Sequence, residues 1–175
     1  MLISCPLNFS EWRHSARNLL AQSVPPEAVT WETEVQGSLF GETQAQELGH
    51  RDTGTGRKSP RAKVPKDFLS LVESASYYRD DTKWGLFYRM LWRITHGERD
   101  LLQCSVDADV CRLRGMQKAI ARDYHKMKAF VRFKQVKDAQ EQDLYIAWFE
   151  PSHPIIGLTA PFFVKRFTQM CWSIS

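Results

Sequence analysis

The segment spanning residues 82–96, TKWGLFYRMLWRITH, constrains the fold more than any other. Trp84, Phe87, Tyr88, Leu91 and Thr95 fall on one face of a helix. Leu86, Met90 and Ile94 widen that face until only Gly85, Arg89, Arg93 and His96 remain as a polar stripe. A helix this apolar has to lie at the centre of a domain, and the rest of the chain must supply its partners. Gly97 ends it. With 175 residues the chain can bury roughly two thirds of its unfolded surface, so neither disulfides nor a structural metal is needed.

The flanking sequence supplies partners of both kinds. Residues 10–22 read as a helix with Ser10 as N-cap, Glu11 in the first turn, and Trp12, Ala16, Leu19 and Leu20 at helical spacing. Val24-Pro25-Pro26 stops it. Residues 29–35 alternate as VTWETEV, which suits a strand with Val29, Trp31, Thr33 and Val35 on one face. Residues 36–63 turn to Gly, Thr, Gln, Arg and Glu, with only Leu39, Phe40 and Leu48 as anchors, and read as a flexible loop. Pro65 opens a helix to about residue 78 that buries Phe68, Leu71, Val72 and Ala75. A long helix is expected over 107–128, with acidic residues at its start and lysines at its end, as the helix dipole favours. Residues 130–136 and 144–149 read as the two strands of a hairpin, turned by the polar run 138–142. Thr159 can cap a last helix with Pro161 in its first turn, and residues 171–175 read as a strand. The sum is a single α+β domain over 1–175, in which four or five helices pack with a small antiparallel sheet that includes a C-terminal hairpin.

Several chemistries have no footing. The chain has no GxGxxG turn, GxxxxGK[ST] loop, HExxH helix or GxSxG elbow. Cys5, Cys104, Cys111 and Cys171 are scattered without CxxC spacing, so they read as reduced thiols and not as metal ligands. No metal or cofactor is implied. No apolar run reaches the roughly 18 residues of a membrane span, and no secretion signal opens the chain, so a cytoplasmic protein with no membrane contact is expected.

The formal net charge is +4, and all of the excess lies beyond residue 63. It concentrates in residues 112–137, where nine basic side chains face Asp123 alone. On the long helix Leu113, Met116, Ile120, Tyr124 and Met127 share one face, while Arg114, Lys118, Arg122 and Lys126 recur every fourth residue on the other. Four cations about 6 Å apart match the scale of a phosphate backbone, and Arg132 and Lys134 extend the patch. A plain solvated face with Asp123 as partial counterion would carry the same pattern. Because such a density of like charge repels itself, an anionic partner is the favoured reading.

Three residues could carry acid–base chemistry. His125 lies within the basic stripe, and Glu150 and His153 flank Pro151 in the run WFEPSHP, close enough to meet across a turn. Hydrogen bonds that merely hold that turn explain the pair equally well. Of the many aromatic residues, Tyr77, Tyr78 and Trp172 are the ones that could stack on bases.

The runs FSEWRHSARNLL (residues 9–20), LFYRMLWR (86–93), HKMKAFVRFKQV (125–136), YIAWFEPSHPI (145–155) and APFFVKRFTQMCWSI (160–174) together resemble one bacterial group. It is the uncharacterised "probable DNA metabolism protein" family, whose members are fused ahead of an X-type uracil-DNA glycosylase domain or encoded beside a radical-SAM protein. The resemblance implies a nucleic-acid-binding accessory module in DNA repair or modification, with DNA and a glycosylase domain or radical-SAM protein as partners. The alternative is an enzyme acting on a DNA base or end through His125, Glu150 and His153. The family tends to have a histidine before its Arg-Asp pair, where this chain has Tyr78-Arg79-Asp80. Neither the water-activating nor the uracil-gripping motif of a glycosylase is present, so uracil excision by this chain alone is not expected. Family members continue past the WSI strand, and the stop at Ser175 leads to the expectation of a sheet edge without its usual cover.

Overall fold

The computed structural model describes residues 1–4, 8–32 and 63–175. Along these run β1 (Leu2–Ser4), α1 (Phe9–Ala21), β2 (Thr30–Glu32), α2 (Lys66–Ala75), α3 (Lys83–Thr95), α4 (Ala108–Phe130), β3 (Lys134–Lys137), β4 (Asp143–Ala147), α5 (Ile156–Arg166) and β5 (Trp172–Ile174). The α+β class, the five helices and the β3–β4 hairpin are as the sequence implies. The pairing of the outer strands is not. β1 pairs in parallel with β2, and β5 pairs in parallel with β4, so the three-stranded sheet β3–β4–β5 is mixed and not wholly antiparallel. Parallel neighbours need a crossover, and a helix supplies each one: α1 between β1 and β2, and α5 between β4 and β5.

Two cores form on opposite ends of α4. The first gathers Trp12 and Leu19 from α1, Phe68 and Val72 from α2, most of α3, and Val110, Leu113 and Met116 from α4. α3 is the central element that its sequence demands, with Trp84, Phe87 and Tyr88 buried. The Trp12 indole N–H donates to the Trp84 carbonyl at 3.3 Å, and the Tyr88 hydroxyl donates to the Val24 carbonyl at 2.6 Å. Both polar atoms are thus satisfied inside an aromatic core. The second core joins Ile120, Met127 and Val131 to Ala147 of β4 and to Ile155 and Phe163, with Phe133, Phe149, Trp172 and Ile174 around it. Tyr78 packs against both.

Arginines lock α3 to the start of α4. Arg89 makes two bonds to Asp109, at 2.6 and 3.0 Å, and Arg93 reaches Glu98, Asp107 and Asp109. The first holds the Asp109 carboxyl below its ordinary range, and the second does the same for Asp107. Asp107 also caps α4 by accepting from the Asp109 and Val110 amides.

Three local expectations shift. Asn8, not Ser10, caps α1: its side chain accepts from the Glu11 amide and donates to the Glu11 carboxylate, so each residue satisfies the other. Thr159 lies inside α5, buried, with its hydroxyl on the Ile155 and Ile156 carbonyls and the Met127 sulfur. Pro161 is accordingly within the helix and not in its first turn. Finally, the strand expected over 29–35 is seen as β2, while Thr33 and Val35 lie outside the described residues. So do Leu39, Phe40, Leu48 and nearly all of the loop expected over 36–63.

Candidate functional site

Helix α4 presents two unlike faces. Leu113, Met116, Ile120 and Met127 are buried, whereas Arg114, Lys118, Arg122 and Lys126 are all exposed along the opposite side. The lone acid does not stand among these cations. Asp123 is 6% exposed, on the packed side of the helix, and its Oδ2 accepts from the His153 main-chain N–H at 3.0 Å. The alternative in which it serves as partial counterion to a solvated face loses its support, because its register places it with Ile120 and Met127.

The nine cations of the basic stretch have different fates. Arg112 pairs with Asp80 at 2.8 Å and Lys137 with Asp143 at 2.7 Å, so both are neutralised. Bonds from Thr82, with Arg112 assisting, hold the Asp80 carboxyl below its ordinary value. Lys128 sits 4.3 Å from the Phe162 ring centroid and 4.8 Å from that of Tyr124. Arg114 donates to the Leu102 carbonyl and Arg132 to those of Ala129 and Val131, bonds that orient each guanidinium without cancelling its charge. Lys118, Arg122, Lys126 and Lys134 make no ion pair among the described residues. A groove of about 510 Å³ between α2 and α4 opens beside the stripe, with Arg114, Gln117 and Lys118 on one wall and Asp67 and Leu71 on the other.

The acid–base candidates do not gather. His125 is exposed and meets the Tyr124 ring edge-on at 6.1 Å. Glu150 is exposed. No hydrogen bond among the described residues joins any two of His125, Glu150 and His153. His153 instead belongs to a joint between the two cores. Its ring lies 4.3 Å from that of Tyr78, its N–H is held by Asp123, and its Nδ1 is buried without a hydrogen-bond partner among the described residues. The Tyr78 carbonyl accepts from Lys83, itself 6% exposed, at 2.6 Å.

The aromatic platforms differ from those expected. Tyr77, Tyr78 and Trp172 are half-buried parts of the second core, whereas Trp148 is 71% exposed on the far side of the sheet. Trp148 directly follows buried Ala147, the last residue of β4, so an extended backbone turns the two side chains to opposite sides, and that adjacency is the sequence signal for it. Among the described residues no three His, Cys, Asp or Glu side chains converge on a metal position. Cys104, Cys111 and Cys171 are free and exposed, and Cys5 lies outside the described residues. Nor is any described helix long and apolar enough to cross a membrane.

A central apolar helix, a basic amphipathic helix and a small mixed sheet define the class as an α+β domain with a cationic helical face. Residues 81–175, just over half of the chain and spanning α3 to β5, match the family model described as a domain of unknown function, DUF4130. The chain belongs to that family. No curated protein and no solved structure matches it.

Proposed function

We propose that the protein is a nucleic-acid-binding accessory module, laying the outer face of α4 along a phosphate backbone. The observation that carries this reading is the unbroken row Arg114, Lys118, Arg122 and Lys126, exposed together while the single acid of the stretch is turned inward. A row of side chains on a rigid helix gives contacts to phosphates and sugars, which position a protein without reading sequence. The resemblance to the "probable DNA metabolism protein" group supports DNA as the polymer, and a uracil-DNA glycosylase domain or a radical-SAM protein as the enzyme that the module serves.

Fluorescence anisotropy of the full chain with duplex DNA over a salt series tests this. About four phosphate contacts give a log–log salt slope near −3.6. Lys118→Glu combined with Arg122→Glu should weaken binding to every sequence alike, and unchanged affinity in that double variant would overturn the proposal.

One observation favours the catalytic alternative, namely His153 with its buried, unpartnered Nδ1 beside Tyr78. If His153 acts on a DNA base or end, His153→Gln should abolish strand modification while leaving anisotropy unchanged.

A further inference from the structure

The groove between α2 and α4 lies beside the N-terminal half of the cationic row, and Arg114 and Lys118 belong to both. At about 510 Å³ it falls within the range of pockets that take small molecules, about 300–1,000 Å³. Its apolar surface comes from Leu71 of α2 and from Leu102, in the short turn Leu101–Gln103 ahead of α4. The Arg114 guanidinium donates to the Leu102 carbonyl at 2.7 Å, which holds it at the groove and leaves its other N–H groups for a ligand.

Three more polar groups on the walls have no hydrogen bond or ion pair among the described residues: the Asp67 carboxylate, the Gln117 amide and the Lys118 ammonium. Their chemistry defines what fits. A carboxylate only accepts, so Asp67 calls for a hydroxyl or amine donor. An amide donates and accepts, which matches the edge of a nucleobase. Arg114 and Lys118 call for an anion, and the two leucines suit the face of a flat ring. A nucleotide unit supplies all of these.

The place of the groove on the row says which nucleotide. Four residues along a helix advance about 6 Å, so the row steps from Lys126 through Arg122 and Lys118 to Arg114 and stops there. One turn earlier Val110 is buried, and the helix start beyond it carries Asp107 and Asp109. A backbone that follows the cations therefore runs out of them at the groove. Asp67 agrees with a strand end, because an internal deoxynucleotide has no hydroxyl to donate and a terminal one does.

We infer that the groove receives the unpaired terminal nucleotide of a DNA strand whose backbone lies on the row, so that the protein prefers strand ends. The inference rests on the phosphate-binding reading and adds to it the part of the polymer that is recognised. Gln117 meets the edge of the last base, Leu71 and Leu102 its face, Arg114 and Lys118 the last phosphate, and Asp67 the terminal hydroxyl.

The test uses the full chain with three internally labelled oligothymidylates of equal length: one linear with hydroxyl ends, one linear with a phosphate on both ends, and one covalently closed circle. The hydroxyl-ended strand should bind at least about threefold tighter than either of the others. Gln117→Ala, which removes only the amide, should reduce that preference, and Gln117→Trp, which fills the groove, should abolish it, both with melting temperatures near wild type. Equal wild-type affinity for the hydroxyl-ended strand and either control overturns the inference, as does a full preference kept by Gln117→Trp. Thymidine monophosphate competing as well as the hydroxyl-ended strand also overturns it, by assigning the groove to a free nucleotide. Arg122→Glu with Lys126→Glu separates the two readings, since neither residue lines the groove. If that variant weakens all three probes alike while the wild type shows no end preference, the groove fails and the row stands. If it weakens none while Gln117→Trp abolishes the preference, the groove stands and the row fails.

Discussion

Asp123 separates the charge pattern of the chain from its packing, and its replacement makes a quantitative case. In Asp123→Ala the His153 amide loses its only described acceptor in a partly buried joint. Orphaning such a donor costs about 1–3 kcal/mol. Relief from burying a carboxylate offsets part of this, so a net loss of about 1–2 kcal/mol is expected. For a chain of this size each kcal/mol lowers the melting temperature by about 2–4 °C, which sets the expected drop at about 2–8 °C. Asp123→Asn keeps an amide oxygen at the same place and should lose less than half as much. DNA affinity should change by less than about twofold in both, since the carboxylate does not stand among the exposed cations. Circular dichroism melts and anisotropy on the same three proteins decide the matter. A melting temperature unchanged in Asp123→Ala, or Asp123→Asn falling as far as Ala, refutes the hydrogen-bond argument. Tighter DNA binding by several fold in Asp123→Asn would restore its role as a counterion.

Acid should weaken the clamp between α3 and α4. Asp107 and Asp109 have folded-state values below the ordinary 3.8, so their stabilisation is complete above the carboxylate range and is lost as pH falls through those lower values. The melting temperature should drop below about pH 4, and Arg93→Met should both lower it by about 2–6 °C at neutral pH and flatten the acid limb. Tyr88 offers a spectroscopic check, because burial pushes its phenol up to about 12. Absorbance titration should show one late-ionising tyrosine that Tyr88→Phe removes. The same variant loses the bond to the Val24 carbonyl and about 1 kcal/mol of stability, measurable in urea.

What the sequence reveals here follows from the range of each interaction. α3 and α4 are legible because their burial repeats every three to four residues, and β3 and β4 because a polar run turns the chain between two short segments with apolar residues. β1 is three residues long and shows no period at all. The parallel placement of β5 depends on a crossover through α5, which no local pattern encodes. Asn8 outcompetes Ser10 as a cap because it sits three residues before Glu11, a detail of offset and not of residue type. The cationic row on α4 was visible from spacing alone, but its strength was not. The loss of Arg112 and Lys137 to acids thirty-two and six residues away is tertiary information. The same holds for the inward turn of Asp123 and the bareness of Trp148, since both depend on what the neighbouring strand or helix fails to cover.

The sharing of α4 between both cores gives any ligand on its outer face leverage over the whole domain. At 23 residues the helix is about 35 Å long, and Val110 to Met116 wall one core while Ile120 to Met127 wall the other. Neither core keeps a complete boundary if the helix frays, so their opening is linked through one rod. An anionic polymer held by Arg114 at one end and Lys126 at the other would splint that rod. It would suppress local opening in two places at once, and the stabilisation would grow with the logarithm of ligand concentration. Slowed amide exchange in α3 and in β4, neither of which such a ligand touches through α4, would be the signature of this coupling.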